Sequence, residues 1–403
     1  MTDKNFDPAT QIQDIQYFGE FGGVNPSITD SSTYTFLEAG RMEEIFEHEI
    51  EGCYLYSRHW NPSNKYLADA LARMEGTEAA QVMGSGMGAI TSVILQLCNA
   101  GDELIASRTI YGGTYAFLKN YLPKFNITVH FVDITNTDAV LEKLNDKTKL
   151  VYCEALSNPL LEVADLPALS KITKSKNIPL VVDNTFTPMV FSPIQLGADI
   201  VVHSLTKFIN GTSDAVGGAV CASKAFIDSM MDVNSGSAML LGPVLDSFRS
   251  ASILKNLRSL HLRMIQHSKN AAYLANAMKE HGLKVKYPGH TEHPQHQLMS
   301  NTMNAKYGYS GLLLFDAETK AKAYEVMEEM QNSNVGYLAV SLGFYKTLFS
   351  APGSSTSSEI SDEEQVQMGL SDGFIRMSVG LDMDIERTTE KILNACKKVG
   401  LIN

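Results

Sequence analysis

Five short apolar runs constrain this chain more than any other feature: Glu103–Ala106, Ile127–Val132, Lys149–Cys153, Pro179–Val182 and Asp199–His203. Helical segments separate them. Leu180-Val181-Val182 and Ile200-Val201-Val202 are apolar on both faces, as strands in the middle of a covered sheet must be. Strand–helix alternation of this kind predicts an α/β fold with a mainly parallel central sheet.

The flanking segments differ in texture. The first fifty or so residues, with Gly19, Gly22, Gly23 and the polar stretch Ser27–Thr35, read as an irregular arm that packs on something else, such as another subunit. Lys65–Glu75 and Ala89–Leu97 read as helices. After Arg258, helical stretches over Leu260–His281, Thr319–Met330 and Glu386–Lys398 accompany an apolar run at Gly311–Phe315, a pattern that predicts a smaller α+β unit. A chain of 403 residues exceeds the ~250–300 at which single cores stop growing. The expected division is an arm (1–60), a large domain (61–258) and a smaller C-terminal domain (259–403). Ser350–Ser361 reads as a polar loop.

Composition removes several classes of function. With 33 Lys+Arg against 45 Asp+Glu the net charge is −12, which argues against a nucleic-acid binder. No run approaches the ~18–20 apolar residues of a membrane span, and Met1–Thr10 lacks the features of a signal peptide. The five cysteines are dispersed without a Cys-x-x-Cys pair, so reduced, mostly buried thiols of a cytoplasmic protein are expected, with no disulfide framework. His290, His293 and His296 are interrupted by Pro294 and lack an acidic or thiol partner at motif spacing; a solvated loop is the favoured reading, and no metal site is expected.

Positive signals cluster at the ends of the apolar runs. Ile200–His203 leads into Ser204, Thr206 and Lys207. A lysine at a buried strand end is either a side chain reaching out to solvent or an amine whose lowered pKa suits it to Schiff-base chemistry. The hydroxyls beside it could hold a phosphate. Val181-Val182-Asp183 puts an acid where open α/β sheets bind ligands. Alone, Asp183 reads as a helix cap. Paired with Lys207, it matches the needs of pyridoxal 5′-phosphate (PLP): an amine to attach the aldehyde and an acid to keep the ring nitrogen protonated. Gly84-Ser85-Gly86-Met87-Gly88, opening a helix, suits phosphate binding. It also fits a loose dinucleotide fingerprint, but that reading leaves Lys207 and Asp183 without a role.

Several motifs occur together in one order. They are Tyr56-Ser57-Arg58 with Asn61-Pro62, Ser85-Gly86-Met87-Gly88, Tyr111-Gly112-Gly113-Thr114, Ser157-Asn158-Pro159, Val182-Asp183-Asn184-Thr185-Phe186, His203-Ser204-Leu205-Thr206-Lys207, Val340-Ser341-Leu342-Gly343 and Arg376-Met377-Ser378-Val379-Gly380. In this the chain resembles the Cys/Met-metabolism PLP enzymes over nearly its whole length. Phe18–Ser27, Tyr287–His296 and Ser341–Ser358 most resemble methionine γ-lyases of the plant type. Gly113 stands where bacterial-type methionine γ-lyases carry cysteine, which leaves substrate choice open.

The resemblance implies an aspartate aminotransferase-like fold with a PLP-binding large domain, and it implies roles. Lys207 would hold PLP covalently, Asp183 would pair with the ring nitrogen, and Tyr111 would stack on the ring and serve as acid or base. Ser85, Gly86, Met87, Thr185, Ser204 and Thr206 would bind the cofactor and its phosphate, with Asn158 lining the site. Tyr56 and Arg58 would reach the phosphate from a neighbouring subunit, and Ser57 would be a further cofactor-binding residue. Ser341 and Arg376, with Tyr111, would receive the substrate, Arg376 through its carboxylate. The implied reaction is α,γ-elimination from methionine and related sulfur amino acids by a homotetramer built from dimers with shared sites. Cystathionine γ-synthase, O-acylhomoserine sulfhydrylase and cystathionine γ- or β-lyase activities remain alternatives, as does a catalytically silent protein of the same fold.

Overall fold

The computed structural model describes residues 6–47, 52–355 and 362–403. Part of the Ser-rich stretch, 356–361, lies outside the described residues, as do 1–5 and 48–51.

A seven-stranded sheet organises the larger part of the chain. Its strands are β1 (Ala79–Met83), β2 (Glu103–Ser107), β3 (Thr128–Val132), β4 (Thr148–Glu154), β5 (Leu180–Asp183), β6 (Ile200–Ser204) and β7 (Gly218–Ala222). They lie in the order β1-β7-β6-β5-β4-β2-β3. The five apolar runs are β2 to β6, all parallel to one another. Sequence reading passed over β1 and β7, which join antiparallel at one side. Ala79-Ala80-Gln81-Val82-Met83 lacks the β-branched enrichment of a strand, and Gly218-Ala219-Val220-Cys221-Ala222 is small and glycine-led. β7 owes its place to full burial between β1 and β6.

A five-stranded sheet follows. Its strands are β8 (Lys284–Lys286), β9 (Leu312–Asp316), β10 (Gly336–Leu338), β11 (Thr347–Ser350) and β12 (Phe374–Ser378), in the order β10-β11-β12-β9-β8. Only β10 and β11 run parallel. Each sheet has its own apolar core. The helix Leu260–Glu280 links them: Leu260 and Met264 pack into the first, and Ala271, Leu274, Ala275 and Met278 into the second.

The N-terminal segment is less irregular than its composition predicts. Pro8–Gln13 and Gly40–Glu47 are short helices. Pro8 sits at the first helical position, where its missing N–H costs nothing. Asp7 anchors the segment to the body, accepting from Lys306 Nζ at 2.8 Å and from the Tyr307 hydroxyl. Beyond that anchor the segment exposes Phe18, Phe21, Val24 and Leu37 almost completely. Four of the five cysteines are buried, and Cys53 is exposed.

Candidate active site

Parallel strands deliver their C-terminal ends to one edge of a sheet, and the last residues of β4, β5 and β6 meet there. Those residues are Glu154, Asp183 and Ser204, with Lys207 three positions on. Together they line one cavity with Ser85, Gly86, Met87, Tyr111, Asn158, Thr185, Thr206 and Arg376. Ile90, Leu156, Phe186, Val216, Val340 and Leu342 give it an apolar wall.

The Lys207 amine donates to Ser341 Oγ at 3.1 Å. Burial, assisted by the nearby Arg376 charge, lowers its pKa from 10.5 to about 8. A lysine poised near neutrality is a nucleophile, because its uncharged form is accessible. Arg376, on β12, reaches in from the second sheet and is 2 % exposed. Burial lowers its pKa to about 10, so it keeps its charge at neutral pH. One guanidinium nitrogen donates to Asn158 Oδ1 at 2.8 Å, and the group lies 5.9 Å from the Phe186 ring centroid.

Two carboxylates lie deep in the site. Asp183 accepts from Thr185 N at 2.9 Å and from the Tyr152 hydroxyl at 3.3 Å. Burial pushes its pKa up despite the Thr185 hydrogen bonds. Glu154 accepts from Tyr111 N at 2.7 Å and Asn158 N at 2.6 Å, and burial together with the Asp183 charge holds its pKa well above the usual range. Glu154 therefore fixes the backbone of the two loops that present Tyr111 and Asn158. Sequence reading missed it, although an acid ending the buried run Leu150–Cys153 is the same signal that marked Asp183.

The phosphate-binding expectation has a structural basis. Ser85 caps the Gly86–Leu97 helix, its Oγ accepting from Gly88 N at 2.9 Å. The N–H groups of Gly86 and Met87 thus start a helix at the cavity wall, facing the strand end that carries Ser204 and Thr206. A Cβ on Gly86 would stand 2.8 Å from Ser204 Cβ, so only glycine permits that approach. Thr185 Oγ1 accepts from Ser204 N at 2.8 Å and ties the ends of β5 and β6 together. Thr206 Oγ1 accepts from Gly217 N at 3.1 Å.

Tyr111 precedes the short helix Gly112–Ala116 as its cap residue and is 42 % exposed at the cavity. A Cβ on Gly113 would lie 2.6 Å from that ring, so any side chain there requires the ring to move. Tyr56, Ser57 and Arg58 do not line this chain's cavity. Tyr56 and Arg58 are exposed, with the guanidinium 5.7 Å from the ring centroid. The Ser57 hydroxyl is engaged within the arm, donating to Ser31 O and accepting from Asn61 Nδ2 at 3.1 Å. The histidine segment is not the solvated loop expected, because His290 and His293 are buried: His290 Nε2 meets Asn276 Oδ1 at 3.1 Å, His293 Nδ1 accepts from Gln295 N at 3.2 Å, and His296 Nδ1 meets Pro288 O at 2.9 Å. Among the described residues no group of three His, Cys, Asp or Glu side chains is placed to hold a metal.

This donor set fits PLP. A buried carboxylate without a cationic partner, an amine poised near neutrality, and hydroxyls opposite a helix N-terminus match the ring nitrogen, aldehyde and phosphate. The fold and site together define a PLP-dependent enzyme of the aspartate aminotransferase-like class. The Cys/Met metabolism PLP-dependent enzyme family matches residues 10–394, and the chain belongs to that family. A methionine gamma-lyase of Arabidopsis thaliana is 47% identical over 381 residues, covering 93% of this chain and 86% of the relative. A cystathionine gamma-lyase of Bacillus subtilis is 35% identical, covering 94% and 95%. A Campylobacter jejuni structure assigned as an O-acetylhomoserine (thiol)-lyase, with pyridoxyl monophosphate on a lysine, superposes with a TM-score of 0.90 at 28% identity, covering 97% of this chain and 100% of that one.

Proposed function

We propose that this chain catalyses the α,γ-elimination of L-methionine and related sulfur amino acids: methionine and water yield methanethiol, 2-oxobutanoate and ammonia. The 47% identity to the Arabidopsis methionine gamma-lyase carries the reading. The apolar wall of Val216, Val340 and Leu342 supports it, because a thioether methyl group needs no polar partner.

Bound PLP supplies an aldehyde for covalent attachment and a ring that accepts the electron pair released at the substrate's Cα. The rest is done by this chain's side chains. Lys207 anchors the cofactor and then, freed by the substrate amine, takes the proton from Cα. Asp183 keeps the ring nitrogen protonated, and that charge in turn relieves its own unpaired burial. Ser204, Thr206 and the N–H groups of Gly86 and Met87 hold the phosphate, with Ser85 shaping the loop. Arg376 grips the substrate carboxylate in a two-pronged ion pair, oriented by Asn158. Tyr111, as base and then acid, would take the proton lost from Cβ and deliver it to the departing thiolate.

A homotetramer built from dimers completes the site in this reading, with Tyr56 and Arg58 reaching the phosphate of a second copy. The exposed Phe18, Phe21, Val24 and Leu37 on the arm, and Leu240, Leu241 and Phe248 on the body, support such assembly. The two cores support a large and a smaller domain with residues 1–60 as the arm, although they do not part at the expected 258/259 boundary, because Leu260, Met264, Met299 and Tyr307 pack into the first core. A cytoplasmic location is inferred from the unpaired cysteines; no described helix is long and apolar enough to cross a membrane. Product analysis with methionine, cystathionine, homocysteine, and O-acetylhomoserine with and without thiol tests the reading. Cystathionine as the only productive substrate would reassign the chain to a cystathionine lyase.

A further inference from the structure

Glu75, the last residue of the Pro62–Glu75 helix, is a buried acid that none of the roles above uses. Its Oε1 lies 2.7 Å from His203 Nε2, and both side chains are almost wholly out of solvent. The same oxygen accepts from Asn184 Nδ2 at 3.3 Å. His203 directly precedes Ser204 at the end of β6, and Asn184 directly follows Asp183 at the end of β5. Successive side chains of a strand point to opposite faces. Asp183 and Ser204 line the cavity, so His203 and Asn184 point away from it, to where Glu75 holds both. One carboxylate thus grips, from behind, the two strand ends whose fronts carry the cofactor-binding groups.

Stability alone does not account for this acid. Apolar residues of similar volume commonly replace buried polar pairs at little loss, because desolvation offsets the attraction. Here the arrangement also leaves Glu75 Oε2 and His203 Nδ1 buried without a hydrogen-bond partner among the described residues. The other titratable groups packed around the pair are Cys221 on β7 and, through the sheet, Asp183. His203 favours the ionised form of Asp183, although burial, the larger effect, opposes ionisation and the Thr185 hydrogen bonds help it more.

We propose that Glu75 is a positioning residue for the cofactor's ring nitrogen: through His203 and Asn184 it holds the ends of β5 and β6 so that Asp183 is aimed at that nitrogen. The proposal rests on the reading of Asp183 as the ring-nitrogen partner.

The test compares two probes at equilibrium, PLP and its deaza analogue, in which carbon replaces the ring nitrogen. Dissociation constants are measured on cofactor-free parent and Glu75→Gln protein, alongside their melting temperatures. The parent should bind PLP more tightly than the analogue. In Glu75→Gln that preference should fall by about tenfold, the equivalent of one unit of proton affinity at the contact, while the analogue's own affinity holds. A merely structural Glu75 would weaken both probes alike; an unchanged preference overturns the proposal. Should Glu75→Gln fail to fold, Glu75→Asp, which keeps the carboxyl group but withdraws it by one methylene, should show the same fall. A parent that binds both probes equally would instead overturn the Asp183 reading, and the proposal with it.

Discussion

The strand-end floor of the site and the N-terminal arm are built on opposite terms. The floor gathers Asp183, Glu154 and Arg376 out of solvent and connects them through backbone N–H groups, Thr185 and Asn158. The arm presents Phe21 at 104 % relative exposure, and its Tyr56 and Arg58 contact each other away from the chain's own cavity. Burial creates chemistry in the floor by shifting pKa values and by fixing orientation. In the proposed reading, the arm's residues take a chemical role only against a second copy. The floor is held by contacts within one chain, whereas the arm leaves Tyr56 and Arg58 exposed.

The largest expected effect is in the floor. Lys207→Ala should lower turnover by on the order of 10³-fold or more and abolish the visible absorbance of bound cofactor, both read on purified protein. Arg376→Lys should lower kcat/KM for methionine by about 10²-fold through a raised KM, since a lysine cannot make the two-pronged contact; steady-state kinetics measure it. In the arm, Arg58→Ala should weaken PLP binding by about tenfold. The sharper test mixes Lys207→Ala with Arg58→Ala at a PLP concentration too low to load the latter, so that neither is active alone. If sites are shared, Arg58→Ala and Lys207→Ala subunits exchanged at equal ratio should regain roughly a quarter of parental activity, because half of all dimers then hold one intact site of two. No recovery would make the arm's role internal and dissolve the contrast.

Two smaller effects follow. The cofactor-free chain should take up PLP faster as pH rises towards about 8 and then level off, because the lowered Lys207 pKa sets the fraction of uncharged amine. The sign for stability agrees: between about 8 and 10.5 the unfolded chain binds the proton that folded Lys207 has released, so Lys207's contribution to stability rises with pH there. Smallest of all, Phe21→Ser should change the stability of an isolated subunit by no more than ~0.5 kcal/mol, while raising the concentration needed for assembly. Sedimentation velocity separates the two.

Much of the floor is legible in the chain because parallel strands announce themselves. A run such as Ile200-Val201-Val202 has one physical explanation, and the residues that follow it fall at the ligand-binding edge. Asp183 and Lys207 are readable for that reason. Glu154 carries the same signal, an acid ending the buried run Leu150–Cys153. Glu75 was not legible: it ends a helix more than a hundred residues from His203, and only the folded sheet brings them together. β1 and β7 were hidden by small residues whose strand state is imposed by neighbours. In the arm, the helices Pro8–Gln13 and Gly40–Glu47 are too short for periodicity to reveal, and the first is held by Asp7's long-range contacts with Lys306 and Tyr307.

The central claim is elimination from methionine at the cavity formed by the strand ends. Purified enzyme supplied with PLP and L-methionine, and no added thiol, should release 2-oxobutanoate and methanethiol in equal amounts, quantified together by chromatography. Product that appears only when a thiol and an activated homoserine are supplied would contradict the account and make the chain a γ-replacement enzyme.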